Sequence, residues 1–161
     1  MKQAIKYTLF IILFAVLGFS REFLFVNINN QLYKLYYHQS DILLPKILAF
    51  LSSFDYSTLY YSKYFLTVFF FFAYICVSFF AVKLICSDKK FSRLIIYIYS
   101  LLLLLAGLTM IYNYFINNSL SGDEYTFSRW LMGIAQSPLV AFFVLASHSL
   151  YTKIQIEHKQ D

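Results

Sequence analysis

The chain of 161 residues is long enough for one ordinary domain, but 60% of it is apolar and only 13% is charged. Soluble domains carry about twice that charged fraction, so the composition excludes a water-soluble globular fold. The net charge of +5 comes from basic residues scattered between apolar blocks, which form no patch of the kind that binds nucleic acid. We therefore expect an all-α integral membrane protein with residues 1–161 as a single membrane domain.

Apolar stretches predict four transmembrane helices, because about 20 apolar residues cross a hydrocarbon core of roughly 30 Å. The first stretch follows basic residues and is interrupted near its end by Arg21 and Glu22, a pattern that also suits a cleaved signal peptide. Apolar residues resume at Phe23, so we expect a retained span. The predicted spans are residues 5–26, 64–86, 94–116 and 130–152.

The segment 27–63, between the first two spans, is predicted to be an outer amphipathic segment of interfacial helices. A partly apolar stripe runs from Leu32 to Tyr37. Asp41 and Pro45 predict the start of a second short helix. Asp55 predicts the N-cap of the helix that enters the second span, where several tyrosines belong at the level of the lipid headgroups.

The positions of lysine and arginine predict the orientation, because basic residues are retained on the cytoplasmic side. The loop 117–128 has no basic residue and carries Asp123 and Glu124, which favours the outer side. We expect a multi-pass protein of the cytoplasmic (inner) membrane with both termini in the cytoplasm. This orientation places eight basic residues inside: Lys2, Lys6, Lys83, Lys89, Lys90, Arg93, Lys153 and Lys159.

Five charged residues are expected near the outer leaflet: Arg21, Glu22, Asp55, Lys63 and Arg129. Ionisable groups at this depth are costly, which makes them candidates for contact with a lipid headgroup or with a partner. They also have a structural interpretation. Arg21 can extend to the headgroups, and Glu22 can pair with Lys63 or Arg129 when the helices pack.

The last span carries small residues at intervals of four, Gly133, Ser137 and Ala141, which predicts close helix packing in lipid. Gln136 can donate or accept an interhelical hydrogen bond, and Pro138 predicts a kink. The packing partner is either another helix of this chain or another membrane protein.

No cofactor or metal site is predicted. Cys76 and Cys86 have no pair of histidines nearby to complete a zinc site, and we expect Cys76 to be buried in a phenylalanine-rich core. His148 has no carboxylate in its own helix to form a proton relay, so we interpret it as a hydrogen-bonded core histidine. All acidic residues lie at the edges of the spans or outside them, which argues against a channel or pump.

Two stretches carry a resemblance to a known family: residues 51–59 (LSSFDYSTL) continuing to 63–67 (KYFLT), and Arg129 followed by Gln136 and Pro138. The chain resembles the small membrane proteins encoded beside exosortases in Bacteroidetes, the exosortase F and X system-associated proteins. This resemblance implies a non-enzymatic accessory role in sorting proteins that carry C-terminal anchoring signals. The implied partners are an exosortase-like membrane enzyme and membrane lipids.

Two other functions remain open. Exosortases resemble this chain in hydropathy, and the resemblance implies a thiol peptidase or transpeptidase with Cys86, Arg129 and His148 as its catalytic residues. However, the charge distribution places Cys86 and His148 toward the inside and Arg129 outside, so we expect no enzymatic activity. The third possibility is a structural or lipid-binding subunit of another envelope complex.

Overall fold

The structure, a computed structural model, describes residues 3–38, 44–86, 88–117 and 126–157. Every regular element in these ranges is a helix, which confirms the predicted all-α class. Helices are expected of long apolar stretches, because each helix forms its backbone hydrogen bonds within one segment. The elements in chain order are α1 (Gln3–Tyr37), a 3₁₀ helix (Lys46–Ser53), α2 (Tyr56–Cys86), α3 (Lys89–Asn117), α4 (Thr126–Ala135) and α5 (Leu139–Glu157).

Four stretches of helix in the described ranges are long and apolar enough to cross a membrane. The longest, α1, has 35 residues and extends about 52 Å, well beyond a hydrocarbon core of roughly 30 Å. Large apolar side chains are exposed along all four, as expected of helices that face lipid. The stretches are Gln3–Tyr37, Tyr56–Cys86, Lys89–Tyr112 and Leu139–Glu157.

The first helix is longer than predicted. It does not end near Val26, and the stripe from Leu32 to Tyr37 continues α1 without forming a separate interfacial helix. No glycine or proline interrupts this stretch, and the amide nitrogen of the Asn27 side chain donates to the Phe23 carbonyl at 2.7 Å within the helix. The helix therefore continues because no local signal stops it.

The second short helix of the outer segment is a 3₁₀ helix. The backbone N–H of Leu48 donates to the Pro45 carbonyl, three residues earlier, at 2.8 Å. Near its end, the hydroxyl of Ser52 donates to the Ala49 carbonyl at 2.6 Å. The expected start at Asp41 lies outside the described residues.

The last span is broken, whereas the sequence predicted one kinked helix over 130–152. Proline has no N–H to donate, so the α-helical ladder stops before Pro138. The N–H of Ser137 donates to the Ile134 carbonyl at 3.2 Å, and α5 begins with the bond from the N–H of Phe142 to the Pro138 carbonyl at 3.0 Å. The result is two helices, α4 and α5, joined by residues 136–138.

The contacts divide the chain into two compact units: unit 1 comprises Met1–Phe14 with Phe71–Asp161, and unit 2 comprises Ala15–Phe70. In unit 2, an apolar cluster holds the 3₁₀ helix on α1 and α2. A 3₁₀ helix has three residues per turn, so leucines three apart lie on one face. The cluster consists of Ile28 and Leu32 on α1, Leu48 and Leu51 on the 3₁₀ helix, and Leu59 on α2.

In unit 1, a few polar contacts join helices that otherwise meet through apolar side chains. The hydroxyls of Ser78 on α2 and Tyr99 on α3 are 2.9 Å apart and buried. The Lys6 ammonium donates to the Leu84 carbonyl at 2.7 Å, which supplies a cation and a donor to the carboxyl end of α2. Both α4 and α5 pack against α3.

Replacing Leu59 with Ala is expected to destabilise unit 2. Its side chain is 1% exposed, and truncating a buried leucine costs about 2–5 kcal/mol of unfolding free energy. Phe65→Ala is the control, because Phe65 lies on the same helix and is 73% exposed. Thermal unfolding in detergent measures both variants, and equal losses of Tm would contradict the assignment of the core.

Candidate functional site

Arg21 and Glu22 are neighbours on α1 but have different surroundings. Arg21 is half-buried, and its guanidinium carbon lies 5.4 Å from the centroid of the Phe25 ring, a cation–π contact within the same helix. Glu22 is exposed, because successive residues of an α-helix are rotated by about 100° from one another. Of the two charged side chains, Arg21 contacts an aromatic ring of its own helix, and the Glu22 carboxylate is on the exposed surface.

Asp55 caps α2, as the sequence predicted. The Thr58 hydroxyl donates to the Asp55 carboxylate, and the backbone N–H of Leu59 donates to the Asp55 carbonyl at 3.2 Å. The hydrogen bond from the Thr58 side chain, helped by backbone N–H groups, lowers the pKa of Asp55 below its ordinary value of 3.8 although desolvation opposes the shift. The exposed carboxylate therefore has a structural role at the start of α2.

The expected headgroup-level tyrosines of α2 form a continuous surface with tyrosines of α1. Their rings contact one another in sequence, and all are exposed. The hydroxyls of Tyr60 and Tyr64 are 3.0 Å apart, and the rings of Tyr36 and Tyr56 connect the two helices with centroids 6.2 Å apart. The full set in unit 2 is Tyr33, Tyr36, Tyr37, Tyr56, Tyr60, Tyr61 and Tyr64.

Gln31 is a buried polar residue that the sequence did not single out. Its side chain is 2% exposed, and among the residues that the structure describes its Oε1 accepts no hydrogen bond. A buried acceptor without a donor costs about 1–3 kcal/mol. The only sequence signal for this burial was spacing. Gln31 follows Ile28 by three residues and Asn27 by four, which places all three on one face of α1.

In unit 1, Arg129 lies on α4 next to Ser128, which is hydrogen-bonded to α3. The Ser128 hydroxyl donates to the Ala106 carbonyl of α3 at 3.1 Å, and this bond is buried. Arg129 itself is exposed. The rings of Phe127 and Trp130 stack on the outer side of α4, with centroids 6.0 Å apart, so an exposed guanidinium accompanies two exposed aromatic rings.

His148 and the neighbour of Arg129 contact α3 at different heights along that helix. His148 packs edge-on against the Phe91 ring, with centroids 4.8 Å apart, whereas Ser128, the neighbour of Arg129, bonds to Ala106. The 15 residues from Phe91 to Ala106 correspond to about 22 Å along the helix. A catalytic group that combines this histidine with this arginine is not formed.

The two cysteines of α2 differ in their exposure. Cys76 is exposed on α2, so its predicted burial in a phenylalanine-rich core was wrong. The reason is its position on the outward side of the helix, away from buried Tyr74 and Ser78. Cys86 is buried at the carboxyl end of α2. In the described ranges no group of three His, Cys, Asp or Glu side chains is placed to hold a metal ion.

The small-residue stripe of the last span is only partly used for packing within the chain. Ala141 is fully buried, and so is Gln136. The Ser137 hydroxyl holds the helix break by donating to the Ile134 carbonyl at 2.7 Å. Gly133, in contrast, is half-exposed, and apart from its chain neighbours and the nearby backbone of α4, no heavy atom of the described residues lies within 4 Å of the position that a Cβ would take. Within the described ranges, therefore, no neighbouring helix packs closely at Gly133, and packing against another protein stays a prediction.

A small apolar groove lies between α2 and α3, with a volume of about 170 Å³. It is open on one side, and its only polar groups are the hydroxyls of Tyr99 and Ser100. No charged side chain lines it. The lining residues are Phe71, Phe72, Ile75, Ile96, Tyr99, Ser100 and Leu103.

No protein-family model matches this chain, and no curated protein or solved structure matches it. Of the five charged candidates, Arg21, Glu22, Asp55 and half-buried Lys63 belong to unit 2, while Arg129 belongs to unit 1. Their convergence on one site stays a prediction.

The cap at Asp55 predicts a pH dependence. Its pKa is lower in the folded chain, so its contribution to stability is complete above the unfolded value of 3.8 and is lost as the pH falls through the folded value. Asp55→Asn keeps a capping oxygen but removes the titration. The Tm difference between wild type and Asp55→Asn, measured in detergent from pH 7 to pH 3, should become smaller over this acidic range, and a constant difference would refute the prediction.

Proposed function

We propose that this chain is a non-enzymatic accessory protein of the cytoplasmic membrane that acts by binding a membrane-protein partner, an exosortase-like enzyme of a protein-sorting system. It crosses the bilayer four times with both termini in the cytoplasm. The distribution of basic residues supports this orientation. The resemblance of residues 51–59 and 63–67, and of Arg129 with Gln136 and Pro138, to exosortase-associated proteins supports the choice of partner.

The observation that carries the proposal is the exposed Arg129 on α4. Arginine and tryptophan are enriched at the energetically dominant positions of protein interfaces, and Trp130, beside Arg129, is 60% exposed. The buried bond from Ser128 to Ala106 keeps α4 in place on α3. A rigid helix that presents an arginine with aromatic neighbours is suited to docking on another membrane protein.

The distance along α3 argues against the exosortase-like peptidase. A thiol enzyme of that type needs its cysteine, histidine and arginine within hydrogen-bond reach of one substrate. His148 packs on Phe91, whereas the neighbour of Arg129 bonds to Ala106, and these two α3 residues are about 22 Å apart along the helix. This separation supports a binding role over a catalytic one.

Replacing Arg129 with Ala is expected to reduce co-purification of the exosortase about tenfold or more, because the loss of one dominant interface residue costs at least 1.4 kcal/mol of binding free energy. Arg93→Ala is the matched control. Arg93 is also an exposed arginine, but it lies near the start of α3, far along that helix from Ala106, where α4 is bonded. The tagged chain is purified from membranes of cells that express the exosortase, and the enzyme is quantified.

Two results would contradict this proposal. Unchanged co-purification of Arg129→Ala would remove Arg129 from the interface. Loss of substrate processing in Cys86→Ser, with exosortase binding intact, would instead support the peptidase.

The groove between α2 and α3 favours a second candidate, a lipid-binding subunit of an envelope complex. Its volume of about 170 Å³ is smaller than the roughly 300 Å³ or more of pockets for drug-sized ligands, and its lining is apolar. These properties suit part of a lipid acyl chain.

Ser100→Phe is expected to displace such a lipid, because the larger side chain fills the groove that Ser100 lines. Ser149→Phe is the control at an exposed position of α5. Mass spectrometry of lipids that remain bound after detergent purification measures the effect. Equal lipid content in wild type and Ser100→Phe would exclude the groove as the lipid site.

A further inference from the structure

Glu22 is a carboxylate on an outward, apolar face of α1. One turn before it lies Phe19, 76% exposed, and one turn after it lies Val26, also exposed. Among the described residues, Glu22 has no hydrogen bond or ion pair. Glu22 lies 16 residues after Lys6, near the start of α1, or about 24 Å along the helix. A hydrocarbon core of roughly 30 Å that begins at Lys6 extends past Glu22, where an ionised carboxylate costs free energy unless a cation meets it.

Arg129 is the corresponding cation in unit 1. It is exposed, and among the described residues it has no hydrogen bond or ion pair. Ala106, which accepts the hydrogen bond from the neighbouring Ser128, lies 17 residues after Lys89 at the start of α3, or about 26 Å along the helix. A hydrocarbon core of roughly 30 Å that begins at the basic end of α3 therefore extends past this level.

We propose that this chain self-associates in the membrane, with the Glu22 carboxylate of one copy bound to the Arg129 guanidinium of a second copy. A guanidinium and a carboxylate form paired, charge-assisted hydrogen bonds, and these are strongest where water is excluded. In a two-fold symmetric dimer each contact occurs twice, so both charges of both copies are paired. This inference rests on the proposed four-span orientation, which brings Glu22 and Arg129 to the same leaflet, but not on the exosortase partner.

The surroundings of Arg129 allow a second helix to approach. Gly133 lies one turn from Arg129 on α4, and the space where its Cβ would be is empty to 4 Å. Small residues let helix backbones pack closely in lipid. The exposed rings of Phe127 and Trp130 add apolar area to the same contact, so the charge pair is surrounded by side chains that exclude water.

Energy transfer between copies carrying C-terminal fluorescent proteins tests the proposal in phosphatidylcholine vesicles that contain only this chain. Wild type is expected to associate. Glu22→Arg and Arg129→Glu alone should each weaken association about tenfold or more, because like charges then meet. Glu157→Arg, at an exposed glutamate near the end of α5, is the matched control and should associate as wild type does.

Mixing the two single variants distinguishes pairing between copies from pairing within one chain. A Glu22→Arg copy and an Arg129→Glu copy are complementary at both contacts, so their mixture should recover energy transfer, and the double swap in one chain should recover it as well. Recovery by the double swap but not by the mixture would place the pair inside one chain and overturn the proposal. A monomeric wild type, or no recovery in either case, would also overturn it.

Discussion

A hydrocarbon environment offers backbone N–H and C=O groups no water to bond with, so each must find a partner inside the protein. The long uninterrupted helices α1, α2 and α3 meet this requirement along their lengths. The break at Pro138 is the place where the requirement is hardest to meet. There, the Ser137 hydroxyl serves both sides of the break, donating to the Ile134 carbonyl and accepting from the N–H of Leu139 at 3.3 Å. A polar side chain thus replaces the missing ladder bonds.

The same constraint gives a few polar contacts a large influence on how the helices pack. Apolar side chains slide past one another at little cost, whereas a hydrogen bond between two helices determines which residues lie at the same level. In unit 1, the pair Ser78–Tyr99 does this for α2 and α3, and the bond from Ser128 to Ala106 does it for α3 and α4. The position of Arg129 follows from the second bond.

The charged residues of the described ranges differ in what already contacts them. A docking protein needs side chains that are costly to leave in lipid and that a partner satisfies. Arg129 and Glu22 are exposed and are the residues that we propose for this role, while Arg21 contacts the Phe25 ring and Asp55 bonds at the start of α2.

The sequence by itself determined the helical class, four apolar stretches, the cap at Asp55 and a disturbance at Pro138, because length, polarity and the missing N–H of proline act locally. Tertiary structure decided the rest. That Cys76 is exposed, that Gly133 faces open space and that Gln31 is buried depends on which face of each helix meets a neighbour. In lipid, a face that packs on a helix and a face that meets acyl chains are equally apolar, so hydropathy cannot distinguish them.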